Sequence, residues 1–386
     1  MSQSVTKQHL SARAIARAGL LVLAILFVSA GATPVVAQYT RTDLASNQPG
    51  VAPSTDQQHL INSWGLTALP MSPFWLGDNG SGFSTLYMGD GTQVPLFVTI
   101  PVSASSPAGS AGTPTGTVGN VGLNATDFTV TENGKSKKSL FIFATLDGTI
   151  SAWNPNVDGI GPGPTAGTAA SHATIVGDQA VPGQVPPGAT YTGLTIATNK
   201  KGLTFLYAAD GGPNRQIDAF DSTFTFKGSF SDPKIPKDFT TYGIQAIDGQ
   251  IWVTFTPLNK AQGGFVDVFD VNDDGTLTLA RHDAAHGPLH SPWGIAKAPT
   301  DFGPMSNAIL ISNNISRGRI NAFDPNTGAF LGPLRDANNN PIEIDNVWAL
   351  QFGQDGGPNG THKQLFFTGG PSGYANGIFG VITFEH

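Results

Sequence analysis

Short segments in which apolar and polar residues alternate recur along the chain. In the segment Arg319–Asp324, Ile320 and Ala322 fall on one face of an extended backbone, and Arg319 and Asn321 fall on the other. Alternation with a period of two residues is typical of a β-strand whose faces meet different surroundings. Equivalent segments, often closing on Phe-Asp or a near equivalent, are Thr149–Trp153, Gln216–Asp221, Phe265–Asp270 and Gly377–Ile382. The chain is therefore predicted to be built from repeated strands.

Each of these segments belongs to a longer repeat. A step of aromatic residue, glycine and aliphatic residue begins at Trp64, Tyr242 and Trp293, with looser copies at Thr192 and Trp348. A hydrophobic run follows each of these five steps, and with a sixth run at Leu140–Thr145 the runs are Phe74–Asp78, Leu140–Thr145, Phe205–Asp210, Ile251–Thr254, Ile309–Asn313 and Leu365–Thr368. Six four-stranded units arranged around an axis form a six-bladed β-propeller, so an all-β fold of this class is predicted.

The units are long for a propeller, at about 58 residues each against roughly 40 to 50 in common propeller repeats, so long inserted loops are expected. Two segments rich in Gly, Pro, Ser and Thr, Pro101–Val121 and Val157–Ala189, are interpreted as those loops. Residues 38–60 are expected to add a strand to the last blade and so join the first and last sheets. Residues 38–386 are thus predicted to form one propeller domain.

The first 37 residues differ from the rest. They contain Lys7, Arg13 and Arg17 but no acidic residue, and the apolar run Leu20–Val28 precedes small residues that end at Ala37. This order is that of a secretory signal peptide cleaved after Ala37. An uncleaved anchor is the alternative, although Gly31 and Pro34 interrupt the apolar stretch. We therefore expect a secreted protein, periplasmic or extracellular, without an integral membrane span after cleavage.

The amino-acid composition excludes several fold and function classes. The 386 residues include 48 Gly and 28 Pro, which excludes a helical bundle, and only 12% of residues are charged. The absence of cysteine excludes disulfides, thiolate nucleophiles and cysteine-ligated metals. The formal charge of −7, which becomes more negative when the basic leader is removed, disfavours binding to nucleic acid. We expect a monomer.

Several blocks carry a family resemblance. They are Asp43–Ala52, Asn62–Leu66, Phe74–Gly82, Ser84–Tyr87, Leu140–Asn154, Gly264–Asp270, Ser291–Gly294 and Arg319–Gly332. Together they resemble an uncharacterised family of exported bacterial proteins, over essentially all of the chain after residue 37. The resemblance implies a secreted NHL-like propeller and brings no catalytic or binding residues with it. Some members end in a Pro-Glu-Pro sorting tail; this sequence ends at Phe384–His386 without one, so sorting by that route is not expected.

Propeller ligands commonly bind near the axis, where the innermost strands begin. The residues before the aromatic steps are therefore the candidate ligand-binding residues Asn62, Ser291 and Asn346. His290 and Asp345 occupy equivalent positions in adjacent blades, and such a pair could hold a divalent metal or act as a catalytic base and its orienting carboxylate. The His-x-Pro-x-Gly step at His290 resembles ligand positions of propeller lyases and amidating lyases, but those enzymes take ligands from several blades and the step has its histidine only once, so a histidine that caps a loop is preferred.

Metal ligands are a second possibility at the strand ends. Asp78, Asp210 and Asn313 end equivalent strands and could ring one end of the channel and hold calcium, with His290 as a further candidate ligand. The same side chains could instead cap turns. The cofactor is therefore unknown, with calcium or another divalent metal as the open candidate.

Two further patterns have metal-site spacing. Asp270–Gly275 fits the first half of a calcium loop, but Arg281 stands where a bidentate glutamate belongs, and a β-turn explains the same residues. His282, His286 and His290 are four residues apart, but Pro288 breaks any helix between them. A loop could still gather the three imidazoles around a metal.

No complete catalytic constellation is visible, and the loops are polar and weakly charged. The leading hypothesis is therefore a secreted binding or interaction module that takes a small molecule, a glycan or a protein partner at one face of the ring. The alternative is a metal-dependent hydrolase or lyase at the channel mouth, using His290, Asp345 and a carboxylate from Asp78 or Asp210.

Overall fold

Successive hydrophobic strands pair with their sequence neighbours, so the sheets follow one another along the chain. The computed structural model describes residues 38–158, 171–284 and 287–385. The described chain begins with β1 (Gln38–Ser46) and β2 (Ser54–Thr55). Blade 1 contains β3 (Ser63–Thr67), β4 (Phe74–Asp78), β5 (Phe83–Tyr87) and β6 (Gln93–Thr99). Blade 2 contains β7 (Pro114–Gly119), the inserted hairpin β8 (Thr129–Glu132) and β9 (Lys135–Lys138), then β10 (Phe141–Thr145), β11 (Thr149–Trp153) and β13 (Thr174–Asp178). The short strand β12 (Ser171–His172) precedes β13 in the chain but pairs with β6 and so belongs to the sheet of blade 1.

The remaining blades have the same plan. Blade 3 contains β14 (Tyr191–Thr198), β15 (Thr204–Asp210), β16 (Gln216–Phe220) and β17 (Phe226–Phe230). Blade 4 contains β18 (Phe239–Ile247), β19 (Gln250–Pro257), β20 (Phe265–Val271) and β21 (Leu277–Ala284). Blade 5 contains β22 (Pro292–Lys297), a 3₁₀ turn (Gly303–Met305), β23 (Ile309–Asn313), β24 (Gly318–Phe323), β25 (Phe330–Pro333) and β26 (Glu343–Ile344). Blade 6 contains β27 (Val347–Phe352), β28 (Gln364–Gly369) and β29 (Ile378–Glu385).

The first strand of each blade contacts the first strands of both neighbouring blades, in cyclic order from β3 through β27 and back to β3. The predicted six-bladed propeller is therefore confirmed. Strand β1 pairs antiparallel with β29, from Gln38 opposite Glu385 to Ser46 opposite Ile378, and so supplies the outer strand of blade 6. This is the ring closure that the sequence predicted for residues 38–60.

The buried hydrophobic side chains lie between blades. Across the described residues they form six clusters, one at each interface between neighbouring blades. At the interface of blades 5 and 6, for example, Leu310 from β23 and Phe367 from β28 belong to one cluster and are fully buried. Each blade therefore buries both faces, which explains why strands such as β4 and β10 are hydrophobic without clear alternation.

Glycines allow the inner strands to pack backbone against backbone. A Cβ atom on Gly243 would lie 1.8 Å from the carbonyl oxygen of Trp293 in the next blade, and one on Gly294 would lie 2.2 Å from that of Trp348. Hydroxyl groups on the second strands also form hydrogen bonds that link the inner strands of neighbouring blades. Thr254 Oγ1 accepts the Gly243 N–H at 2.9 Å and donates to the Pro292 carbonyl at 2.7 Å.

Both segments interpreted as loops contain a strand of blade 2. Pro101–Val121 includes β7, the innermost strand, and Val157–Ala189 includes β13, the outermost. The loop interpretation was therefore wrong at β7 and at β13, and residues 159–170 of the second segment lie outside the described residues. Strand β7 departs from the repeat because it has Thr115 in place of the aromatic residue. Gly116 nevertheless has the role of the other step glycines, since a Cβ there would lie 2.1 Å from the backbone nitrogen of Leu194. No helix in the part of the chain that the structure describes is long and apolar enough to cross a membrane.

Candidate functional site

The candidate residues Asn62, Ser291 and Asn346 occupy one structural position in blades 1, 5 and 6. Their φ angles are 49°, 48° and 47°, in the left-handed region that asparagine tolerates and serine adopts less readily. The carbonyl of each accepts an N–H from the first residue after the second strand of its own blade, at 2.9 to 3.2 Å. These bonds fix a tight turn immediately before the inner strand, at the mouth of the central channel.

Aromatic rings fill the channel directly below this mouth. Trp64 and Trp348 stack with ring centroids 3.6 Å apart, and Trp293 meets both of them edge to face. The Trp348 Nε1–H donates to Asn62 Oδ1 at 2.9 Å, and the Trp293 Nε1–H donates to the Thr192 carbonyl at 2.8 Å. The space farther along the axis, lined by Gly65, Gly116, Gly294 and their neighbours, has a volume of about 30 Å³. A ligand entering from this side therefore meets a closed floor.

A cavity of about 380 Å³ lies at the same mouth. Tyr242 and Tyr374 supply its aromatic surface, and the Tyr374 hydroxyl donates to Asn314 Oδ1 at 2.8 Å. Burial raises the pKa of both tyrosines, so both hydroxyls stay protonated at neutral pH. The polar lining consists of Thr192, Thr240, Thr256, Lys260, Ser291, Asn314, Ser316 and Asn346. No carboxylate is among the described residues that line it.

The structure brings two of the three predicted ligand-binding residues into this cavity. Ser291 and Asn346 line it. Asn62 lies beneath it instead, because its side chain bonds Trp348 and approaches Asn79 Oδ1 at 3.4 Å. Tyr242 and Tyr374 were missed as site residues; Tyr242 was visible in the aromatic step, whereas Tyr374 lies in a loop outside the repeat.

His290 and Asp345 have separate partners. The His290 ring nitrogen Nε2 lies 3.0 Å from the Lys260 carbonyl oxygen, and its backbone N–H donates to Asn313 Oδ1. Asp345 is exposed and accepts the Arg317 N–H at 2.7 Å. His290 lines a neighbouring groove of about 830 Å³ that also contains three arginines. No hydrogen bond or ion pair joins His290 to Asp345 within the described ranges.

The side chain of Asp78 joins strands β3 and β5, whereas those of Asp210 and Asn313 bond loop residues beside their own strands. Asp78 is completely buried and accepts the Ser63 and Thr85 hydroxyls, and burial raises its pKa to about 7. Asp210 accepts the Thr190 N–H at 2.9 Å and an Asn214 amide at 2.8 Å. Among the residues the structure describes, neither aspartate belongs to a group of three or more acidic or histidine side chains close enough to share a metal. The contacts of Asp210 and Asn313 fit the turn-capping alternative, whereas Asp78 bonds strand residues.

The calcium-like segment Asp270–Gly275 is the turn between β20 and β21. Asn272 donates its N–H to the Thr276 carbonyl. Asp274 accepts the Thr276 hydroxyl and the Thr276 N–H, and these two bonds lower the pKa of that aspartate. In the histidine series, His282 lies in β21, whereas His290 bonds Lys260 in a loop. His286 lies outside the described residues. His282 is therefore separated from His290, and it contacts Asp232 and Asp267 instead.

Comparisons with known proteins support the fold. No protein-family profile matches the chain. The chain is 29% identical over 357 residues to "Uncharacterized protein R648" of Acanthamoeba polyphaga mimivirus, covering 88% of this chain and 78% of that protein. Among solved structures, the PQQ-bound form of aldose sugar dehydrogenase from Streptomyces coelicolor is similar with a TM-score of 0.50 and 13% identity, covering 91% of this chain and 99% of that one. Virginiamycin B lyase from Staphylococcus aureus is similar with a TM-score of 0.45 and 11% identity, over 90% and 100%.

Proposed function

We propose that the protein is an extracytoplasmic binding module that takes a neutral glycan, of about one or two sugar rings, in the cavity at the channel mouth. The propeller fold supports a general role in interaction. The extracytoplasmic location is supported by the basic, apolar and small-residue order of the first 37 residues. The observation that carries the ligand class is the combination of two tyrosine rings with a rim of amides and hydroxyls.

A sugar ring presents an apolar face of C–H groups and an edge of hydroxyls that both donate and accept hydrogen bonds. Tyr242 and Tyr374 provide aromatic surface for the apolar face. Asparagine side chains such as Asn346 offer both an amide donor and a carbonyl acceptor, which matches a hydroxyl edge better than a charged group would. The volume of about 380 Å³ is near the lower end of the roughly 300 to 1,000 Å³ usual for small-molecule sites, so a short saccharide fits the size.

The hydrolase or lyase alternative gains no support from these contacts. Acid–base cleavage of a glycan requires a titratable group within reach of the scissile bond. The described lining of the cavity contains Lys260 as its charged residue and no carboxylate or histidine. Binding without cleavage is therefore the function that the arrangement favours.

The test is titration with a panel of neutral mono- and disaccharides, followed by ligand-observed NMR and tryptophan fluorescence. Trp348 is the fluorescence reporter, because its ring lies 5.8 Å from that of Tyr374 and is itself buried. Tyr374→Ala should weaken binding about fivefold or more, since an aromatic contact contributes about 1 kcal/mol. Tyr374→Phe keeps the ring and should retain most of the affinity.

Asn326→Ala, an exposed residue in the hairpin turn of blade 5, is the matched control and should bind like the parent. Failure of every sugar in the panel to bind, or equal binding by the parent and Tyr374→Ala, would overturn the proposal. Release of a shortened sugar during prolonged incubation would instead restore the hydrolase alternative.

A further inference from the structure

A second group of polar side chains is buried far from the mouth residues in sequence, at the link between blades 3 and 4. Asp267 in β20 and His282 in β21 are directly opposite each other in the sheet register. Asp232 comes from the segment that connects β17 to β18. The side chains of both aspartates are fully buried, and that of His282 is 18% exposed. Two elements of blade 4 and the connection from blade 3 therefore meet at one point.

The three side chains converge through their ligand-type atoms. His282 Nδ1 lies 2.7 Å from Asp267 Oδ1 and 3.0 Å from Asp232 Oδ2. One oxygen or nitrogen atom of each residue lies within 4.8 Å of the other two. The ring of Phe265 stacks on His282 with centroids 5.4 Å apart and so fixes the plane of the imidazole.

The cluster carries more acceptor oxygens than it has donors. Lys234 N–H donates to Asp232 Oδ1 at 2.9 Å. Asp267 Oδ2 is buried without a hydrogen-bond partner, and the geometry at Asp232 Oδ2 also fails to make a hydrogen bond. Within the described chain, no lysine or arginine forms an ion pair with either carboxylate. A buried carboxylate oxygen without a hydrogen-bond donor is costly. Because no lysine or arginine pairs with these carboxylates, the described residues leave their negative charge incompletely compensated.

A proton on His282 would compensate only part of the negative charge of the two aspartates. Even with a charged imidazole, two ionised carboxylates leave a net charge of −1 in a buried place. A divalent cation would supply the missing positive charge and a partner for the unpartnered Asp267 oxygen.

We propose that Asp232, Asp267 and His282 bind a divalent transition-metal cation, with Zn²⁺ as the preferred ion. Zinc accepts imidazole nitrogen and carboxylate oxygen at about 2.0 to 2.2 Å, and three protein ligands leave a position for water. A tetrahedral site with such bonds separates its donor atoms by about 3.3 to 3.6 Å, so the two contacts of His282 Nδ1, at 2.7 and 3.0 Å, would open by less than about 1 Å. The exposed edge of His282 provides an entry path.

The ligand set distinguishes this site from the calcium sites that the sequence suggested. Calcium and magnesium favour all-oxygen sites with six or more ligands, whereas an imidazole nitrogen favours zinc and its neighbours among the transition metals. Because Asp232 belongs to the connection between blades, the cation would fasten blade 4 to that connection. Its expected effect is stabilisation of the ring near this interface.

The test uses the whole protein, dialysed against a chelator and then titrated calorimetrically with Zn²⁺, Mn²⁺ and Ca²⁺ in turn. We expect one Zn²⁺ per chain, a melting temperature that rises with Zn²⁺, and little response to Ca²⁺. Co²⁺ substitution gives an independent readout, because its visible absorption reports nitrogen and oxygen ligation. Asp267→Asn, which keeps the side-chain shape and removes the buried charge, should lose at least tenfold in Zn²⁺ affinity, and His282→Gln should do the same.

His59→Gln is the matched control. His59 Nδ1 also contacts an aspartate, Asp56, at 3.0 Å, but Asp56 already accepts two backbone N–H groups and the Gln93 amide. This variant should bind Zn²⁺ like the parent. Absence of saturable Zn²⁺ binding by the parent would overturn the proposal, as would unchanged binding by Asp267→Asn in a protein whose circular dichroism shows the native fold.

Discussion

Replacement of a single inner-strand glycine tests how closely neighbouring blades pack. Gly243 lies in β18 and has a φ angle outside the left-handed region, so alanine suits its backbone conformation. The added Cβ, however, would lie 1.8 Å from the Trp293 carbonyl oxygen of the next blade. Side-chain rotation cannot relieve a contact with backbone, so β18 and β22 would have to separate by more than about 1 Å.

The magnitude follows from that geometry. Overfilling a packed interior usually costs about 1 to 3 kcal/mol, and a clash with fixed backbone belongs at or above the upper end. Alanine also restricts the unfolded chain, which returns about 0.4 to 1 kcal/mol. The net loss for Gly243→Ala should therefore be about 2 to 3 kcal/mol or more in the free energy of unfolding.

Gly193→Ala is the matched control at the equivalent position of blade 3. The nearest atoms to its added Cβ lie 3.2 to 3.4 Å away, and the first of them is a side-chain methyl group of Ile244. This variant should change the free energy of unfolding by less than about 1 kcal/mol. Urea unfolding followed by circular dichroism and tryptophan fluorescence measures both variants. Equal stability losses for the two variants would refute the account of blade packing.

Three further outcomes follow from contacts described above. Thr254→Val should lose about 2 kcal/mol in urea unfolding because it leaves the Gly243 N–H and the Pro292 carbonyl unpaired, whereas Thr254→Ser should restore most of that loss. The raised pKa of Asp78 means that the folded state binds its proton more tightly than the unfolded state does, so the unfolding free energy should fall as pH rises from about 4 to about 7. Asp78→Asn should remove this pH dependence, which is worth on the order of a few kcal/mol. An unchanged pH profile in that variant would contradict the explanation. Deletion of residues 38–46 exposes the edge of β29, so size-exclusion chromatography should show association or aggregation where the intact chain elutes as a single species.

The repeat in the sequence was sufficient to predict the number of blades and the way the ring closes. Alternation of apolar and polar residues in segments such as Arg319–Asp324 identifies individual strands, because it depends only on the two faces of each strand. Five copies of the aromatic step then mark where successive blades begin. Strand β7 was interpreted as part of a loop because its packing against blade 3 requires only a small residue at Gly116, and small residues are also common in loops. Composition therefore could not separate an innermost strand from a linker.

The candidate site was predictable to the extent that it follows the repeat. Ser291 and Asn346 line the mouth because every inner strand begins there. The group of Asp232, Asp267 and His282 could not be anticipated, because it depends on the pairing of β20 with β21 and on the course of a link between blades. Spacing along the chain instead grouped His282 with His290, which the structure holds in different surroundings.

The pairing of β1 with β29 also orders events during synthesis. Strand β1 is the first described strand to leave the ribosome, and its partner β29 is the last. Five blades can assemble from neighbouring strands as they emerge, but β1 has no strand to pair with until β29 has been synthesised. Closure of the ring is thus the contact of greatest sequence separation, and a late, slow step in which β1 meets β29 should limit the rate of folding.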